Sequence, residues 1–347
     1  MSEVLDFRRA ESVPWLTPVR EDMLRLIRTG RLPHALLILA KDGLGTEALA
    51  DWIAAAALCE SRGKEASAPT DGAPYGVPYG VPCGECPSCR LLLAGNHPDL
   101  YRVEREEDAQ QLKVEQVREL IESISLTSYR GGFKVGMLIG ADKLNAAGAN
   151  AFLKTLEEPP ANTLLMLLAT PNHRLPATIA SRCRRVTLSL PDEALSIEWL
   201  HGQGIGAAEA AARLRLSQGA PIGALQVEAA AAQSLDQEMA QALGHLEAAR
   251  SDVSLVAERW LKSDLGLRLA WLENWITERV RTLSQPAPAN LKTVDAVVLP
   301  ASLLKAKIRR LFELLDDTRE LKRLTGTSVN LQLALESMLI RHFVQDR

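Results

Sequence analysis

No stretch of this sequence stays apolar for long. The longest runs, Ala35 to Ala40 and Leu164 to Ala169, fall far short of the roughly 18 residues that a membrane-spanning helix needs. The first ten residues already carry Glu3, Asp6, Arg8 and Arg9, where a secretory leader would need an apolar core, so a cytoplasmic protein with no membrane association is expected. Excess positive charge is missing too. The 40 basic and 43 acidic residues leave a formal charge of −3; no global field draws the chain onto nucleic acid, although a local basic face is compatible with that balance. Cysteines are few and odd in number, five in 347 residues, a poor basis for a regular disulfide framework. An apolar fraction of 47% and a charged fraction of 24% are those of an ordinary globular protein. A chain of this length is expected to divide into two or three domains.

The pattern along the chain changes character twice. Residues 14–29 place Val19, Met23, Leu26 and Ile27 on one helical face, with Gly30 as the stop. A short apolar run at 35–40, a glycine-containing turn and a helix over 47–59 then read as strand, glycine loop, helix. Residues 61–82 are Gly, Pro, Ala and Tyr with a tandem YGVP, which reads as a flexible insertion and, on composition, as a solvated loop without function. Order resumes with strand candidates at 99–103, 134–139, 163–170 and 184–190, separated by helices over 112–126 and 143–157, the second stopped by Pro159 and Pro160. Apolar strands alternating with helices predict a parallel sheet covered on both faces. After Pro191 no strand pattern is convincing. Residues 192–230 are Ala-rich and helical, and from about 235 long amphipathic helices run to the end, interrupted only at 284–299.

The sharpest local signal is Cys83-x2-Cys86-x2-Cys89. A structural zinc ion takes four thiolate or imidazole ligands in a tetrahedron. Three close cysteines supply three corners, and the fourth is open to Cys59, Cys183 or His97. Cys59 ends the helix just before the insertion, so a long loop returning to it makes it the preferred ligand, with His97 next. Such a long insertion between first and second ligand is closed at only modest extra entropic cost. Four thiolates leave no open coordination position, so the predicted Zn²⁺ is structural and not hydrolytic.

The loop after the first strand looks like a phosphate cradle with its chemistry removed. A working loop reads G-x4-G-K-[ST], its lysine on the β/γ-phosphates and its hydroxyl on Mg²⁺. Aligned on the strand-to-helix junction, Ala40 stands at the first glycine, Gly45 at the second, Thr46 at the lysine and Glu47 at the hydroxyl, with Gly43 inside the loop. A cation is gone and an anion stands in the phosphate's place. Phosphoryl transfer depends almost wholly on positioning and charge stabilisation, so no hydrolysable nucleotide is expected here. Two glycines alone do not distinguish a degenerate cradle from an ordinary turn.

The segment at 134–183 is more distinctive. Together with LPHALLI (32–38), the cysteine triplet followed by AGNHPDLYRV (94–103), NAFLKTLEEPP (150–160), LLAT (167–170), LPATIASRC (175–183) and the weaker LSQGAPIGAL (216–225), it resembles bacterial clamp-loader subunits of the AAA+ class, and among them the DNA polymerase III delta-prime family. The resemblance is strong over 14–191, weaker to 230, and beyond that rests on helical character and order. It implies a P-loop-like α/β domain over 1–190 with a zinc module at 59–89, a small helical lid domain over 191–234 and an all-α collar over 235–347. By the same resemblance, an active subunit's acidic pair would fall at Ile139 and Gly140, and its lid arginine at Ile222. Lysine, acidic pair and lid arginine are therefore all absent, as in the silent members of the family. Ser181-Arg182-Cys183 is intact. In the family this arginine reaches the nucleotide of a neighbouring motor subunit, which makes Arg182 an arginine finger in trans and Cys183 a small core residue. The implied partners are gamma/tau-type motor and delta-type subunits in a five-membered ring, with the sliding clamp and primed DNA reached through the assembly.

Two other readings make different demands. An active AAA+ motor of the same fold needs a lysine where Thr46 stands. A zinc-dependent nucleic-acid-binding module unrelated to ATPases fits neither the near-neutral charge nor the KTLEEPP and SRC segments.

Overall fold

The computed structural model describes residues 7–61, 81–105, 111–171, 175–227, 229–248, 252–284, 301–325 and 329–344. Most of the YGVP repeat and of the 284–299 break lies outside the described residues. The described chain forms two compact units, 1–191 and 192–347.

In the first unit, α1 (Thr17–Arg28) buries Met23 and Leu26 and ends at Gly30, whose positive φ of 64° closes the turn. Strand β1 (Ala35–Leu39) is buried at every residue, as its unbroken apolar run requires of a strand covered on both faces. Gly45, with φ of 87°, leads into α2 (Thr46–Leu58), in which every residue from Leu49 to Leu58 is buried. The short α3 (Pro87–Leu93) and β2 (Leu100–Val103) follow, then α4 (Val114–Ser125), β3 (Lys134–Ile139), α5 (Ala146–Glu157), β4 (Thr163–Ala169), α6 (Ala177–Ala180) and β5 (Arg184–Thr187). All five strands are parallel, in the order β2-β3-β4-β1-β5. Parallel strands need crossovers, and the helices between them supply the covering layers.

Two local details explain how closely the layers pack. A Cβ on Gly136 in β3 would lie 2.9 Å from a Leu165 methyl and 3.2 Å from one of Leu120, so glycine there lets α4 sit directly on the sheet. Asn145 caps α5 by accepting from the Gly148 amide at 2.8 Å. Strand β5 stops at Thr187, three residues short of the expected end. The Leu188 amide still donates to the Leu39 carbonyl at 2.9 Å, but Leu190 is already 49% exposed.

The second unit is helical throughout its described residues: α7 (Glu193–Gly202), α8 (Ala207–Leu216), α9 (Pro221–Leu225), α10 (Ala229–Glu247), α11 (Val253–Lys262), α12 (Leu265–Ser284), α13 (Ala301–Leu324) and α14 (Leu331–Leu339), ending in a π-type turn at 340–344. Its main core gathers Trp260, Leu269, Leu272, Ile276, Leu335 and Leu339. Helix α8 belongs to two cores, with Leu216 in this one and Leu214 in a smaller cluster with Leu200 and Ala224. The expectation of helices interrupted only at 284–299 is corrected: the chain also breaks before Val253, Leu265 and Leu331. At each break a side-chain oxygen accepts from an amide of the next helix, Asp252 from Ser254 at 2.9 Å, Asp264 from Leu267 at 3.0 Å and Asn330 from Leu333 at 3.2 Å. Periodicity alone carried through these points, and the caps decide against it.

Candidate metal centre and degenerate phosphate loop

Helix α2 carries one feature at each end. At its C-terminus Cys59 is the cap residue, where the extended backbone turns the chain away. Cys86 caps the N-terminus of α3, and Cys89 lies in its first turn. Gly84, at φ of 74°, makes the turn between Cys83 and Cys86. The thiol sulfurs of Cys59, Cys83, Cys86 and Cys89 all lie within 4.8 Å of one another. Cys59 and Cys86 are 4.0 Å apart and Cys83 and Cys89 3.9 Å.

Those spacings fit a metal. Zinc–sulfur bonds of about 2.3 Å in a tetrahedron separate the sulfurs by about 3.8 Å. The Cys86 amide donates to the Cys83 sulfur at 3.3 Å and the Cys89 amide to the Cys86 sulfur at 3.4 Å, bonds that favour the deprotonated ligand form. Without an ion, the contact with Cys89 pushes the Cys59 thiol down to about 5 and pushes Cys89 itself up. The four cysteines could therefore hold one metal ion with a closed coordination sphere.

Neither of the other fourth-ligand candidates joins them. His97 is buried and its ring is otherwise engaged: Nδ1 accepts from the Asp99 amide at 3.1 Å, which leaves Nε2 to donate to the Ser88 hydroxyl at 2.6 Å. Ser88 in turn donates to the Leu58 carbonyl at 2.8 Å, so this chain of bonds ties α3 to the end of α2 behind the cluster. Asp99, fully buried, accepts from Ser128, Tyr129 and Arg130 at 2.8–3.1 Å and so fixes the turn into β3. Cys183 sits in the core beside α5 and α6, where burial pushes its thiol up to about 11.

At the other end of α2 lies the glycine turn whose sequence resembles a phosphate cradle. Gly43 and Gly45 both have positive φ, 79° and 87°, and Trp15 donates its indole N–H to the Leu44 carbonyl at 2.9 Å. Thr46 opens the helix. Glu47, one residue on, accepts from Arg102 at 3.2 Å, and the same guanidinium pairs with Asp51 one turn deeper. A cation from β2 thus neutralises the carboxylates of α2. Burial raises Asp51 to about 6 despite the arginine. Arg102 escaped sequence reasoning, although a lone arginine inside an apolar strand was the available signal. Ile139 ends β3, Gly140 follows with φ of 73°, and Ile222 lies in α9; none offers a ligand oxygen or a cation.

Arg182 follows α6 on the surface. Its guanidinium donates to the Thr178 carbonyl at 2.8 Å and to Glu157, the last residue of α5, at 2.7 Å. Its side chain is 36% exposed and that of Glu157 51%. Glu157 was visible in KTLEEPP, but its pairing with Arg182 was not.

A five-stranded parallel sheet with a glycine turn feeding α2, a cysteine module beside it and a helical C-terminal unit define a P-loop-like α/β protein of the AAA+ class. Comparison with known proteins narrows this. The family described as "DNA polymerase III, delta subunit" matches residues 17–192, and its C-terminal counterpart, "DNA polymerase III, delta subunit, C terminal", matches 234–342. DNA polymerase III subunit delta' of Escherichia coli (strain K12) is 32% identical over 338 residues, 96% of each chain. The protein of that name from Pseudomonas aeruginosa is 36% identical over 244 residues, 70% of each. DNA polymerase III subunit tau of Salmonella typhimurium is 33% identical over 174 residues, half of this chain and 24% of that one. The chain belongs to the DNA polymerase III delta' subunit family.

Among the described residues no helix is long and apolar enough to cross a membrane.

Proposed function

We propose that this chain is a non-hydrolysing subunit of the DNA polymerase III clamp loader, which helps place the sliding clamp on primed DNA and lends Arg182 to the active site of a neighbouring motor subunit. The observation that carries this reading is the contrast between two arginines. Arg102 is spent at home, paired with Glu47 and Asp51 where a nucleotide's charges would sit. Arg182 stands at the surface on one exposed carboxylate, a pairing worth about 1 kcal/mol or less and readily exchanged for a phosphate. A guanidinium presented in trans to a γ-phosphate is worth about 10³ to 10⁵ in rate. Glu157 is the partner that Arg182 leaves when it turns to the neighbour.

In this reading residues 191–234 form a lid-like domain and 235–347 the collar through which gamma/tau-type and delta-type subunits close a five-membered ring. The protein acts in the cytoplasm. The four cysteines hold Zn²⁺ as a structural ion: the sulfur spacing supports that assignment, and a site of four thiolates supplies no water for chemistry. The decisive experiment reconstitutes the chain with motor and delta-type subunits, clamp and primed DNA. DNA-dependent ATP hydrolysis should collapse with Arg182→Ala, while the isolated wild-type chain hydrolyses none. An unchanged rate in the variant assembly, or turnover by the chain alone that is lost on mutating the 43–47 loop, ends the proposal.

A further inference from the structure

The helical unit holds a cavity of about 280 Å³ between α12, α13 and the 340–344 turn. Its floor is apolar, with Leu311, Leu314 and Phe343 beside Trp275, and the described residues that line it include Arg279, Lys307 and Arg310 and no carboxylate. Asp317, bonded to His342 of the lining at 2.8 Å, is also engaged with Arg341 at 2.9 Å. Arg310 is held in place by donating to the His342 carbonyl at 3.1 Å. Arg279 and Lys307 are exposed. The exposed Arg279 and Lys307 beside a concave apolar wall favour an anionic partner, in a chain whose overall charge is negative.

The apolar and aromatic lining bears on what kind of anion fits. Trp271, one turn before Trp275, stacks on its indole at 6.4 Å between centroids and 19° between planes. Arg279, one turn after it, lies over the ring at 4.7 Å. Trp271 and Arg279 thus occupy part of the indole's surface. The apolar floor of Leu311, Leu314 and Phe343 suits an inserted apolar side chain. The strip extends further, because Leu303, Lys307, Arg310 and Leu314 fall on one face of α13 and Leu303 is 57% exposed.

We propose that this groove docks an acidic peptide segment of a partner protein, seating one apolar side chain beside Trp275 and Phe343 while flanking carboxylates meet Arg279, Lys307 and Arg310. The charge pattern selects the sign of the partner, and the apolar floor favours a peptide that can insert a side chain.

The test uses the full-length chain and a fluorescein-labelled synthetic peptide, Asp-Asp-Phe-Asp-Asp, followed by fluorescence anisotropy. Saturable binding is expected, weakening as salt rises. It should fall about tenfold in the Arg279→Glu/Lys307→Glu double variant, and by a similar factor when the peptide's phenylalanine becomes serine. Both substituted positions are exposed, and circular dichroism of the variant checks that the helices persist. Absence of saturable binding, or equal binding by wild type and double variant, overturns the proposal. So does tighter binding of an oligothymidylate lost in the same variant, which would make the groove a nucleic-acid site.

Discussion

The two ends of helix α2 have had opposite fates. At the C-terminal end, four residues from two distant stretches of chain converge, all of one chemical type and all within 4.8 Å. At the N-terminal end the glycine turn has positive φ at Gly43 and Gly45, and Glu47 and Asp51 of the helix bond to Arg102. A site is geometry multiplied by chemistry. The cysteine end has both factors, whereas the glycine end offers carboxylates already matched to a cation.

The contrast can be broken most forcefully at the cysteine end. Cys86→Ser, or a strong chelator, should lower zinc from about one per chain and unfasten residues 81–105, since bound zinc contributes on the order of 10 kcal/mol to such a module. Metal analysis with hydrogen exchange reads both effects; a metal-free preparation with full protection there would refute the site. Next in size is the arginine. Arg182→Lys keeps the charge but loses the planar fork, and DNA-dependent ATPase of the reconstituted assembly should drop about 10³-fold or more. Unfolding of the isolated variant should shift by less than about 1 kcal/mol, because the replaced side chain is exposed.

A third effect sharpens the view of the silent end. Asp51 has its folded pKa raised from an ordinary 3.8 to about 6 by burial. Its contribution to stability is therefore fully present below pH ~4 and is lost as pH rises through about 6. Asp51→Asn should remove that loss, so the stability difference between variant and wild type should move by roughly 3 kcal/mol in the variant's favour from acid to neutral pH. Denaturant titrations at several pH values measure it; parallel curves would show that the carboxyl titrates normally. The smallest effect concerns the latch on Arg182. Glu157→Gln should raise ATP hydrolysis by the assembly without DNA about two- to fivefold, the scale of an exposed ion pair. A ratio of DNA-independent to DNA-dependent rates identical to wild type would leave Glu157 with a structural role alone.

Much of the sheet was legible because buried parallel strands are unbroken apolar runs, and all five expected strands form, four of them with ends within a residue of the expected ones. The helical unit was less legible at its joints. Asp252, Asp264 and Asn330 are ordinary polar residues in the sequence, and only their bonds to downstream amides reveal where helices restart. At the candidate sites, the cysteine triplet and the missing lysine were readable directly. Arg102 lies in AGNHPDLYRV, where nothing hints at its bonds to residues 47 and 51.

The sequence by itself determined the alternation of strands and helices, the three close thiols, the threonine and glutamate that follow Gly45, and the intact Ser181-Arg182-Cys183. Each of these is local, a matter of residue type within one element. Only the tertiary structure decided that Cys59 stands with the triplet while His97 turns to Ser88, that Arg102 occupies the carboxylates of α2, and that Glu157 holds Arg182. Those are contacts between residues from 9 to 55 positions apart. They depend on the strand order β2-β3-β4-β1-β5 and its crossovers, because the packing of distant elements sets distances that no local pattern encodes.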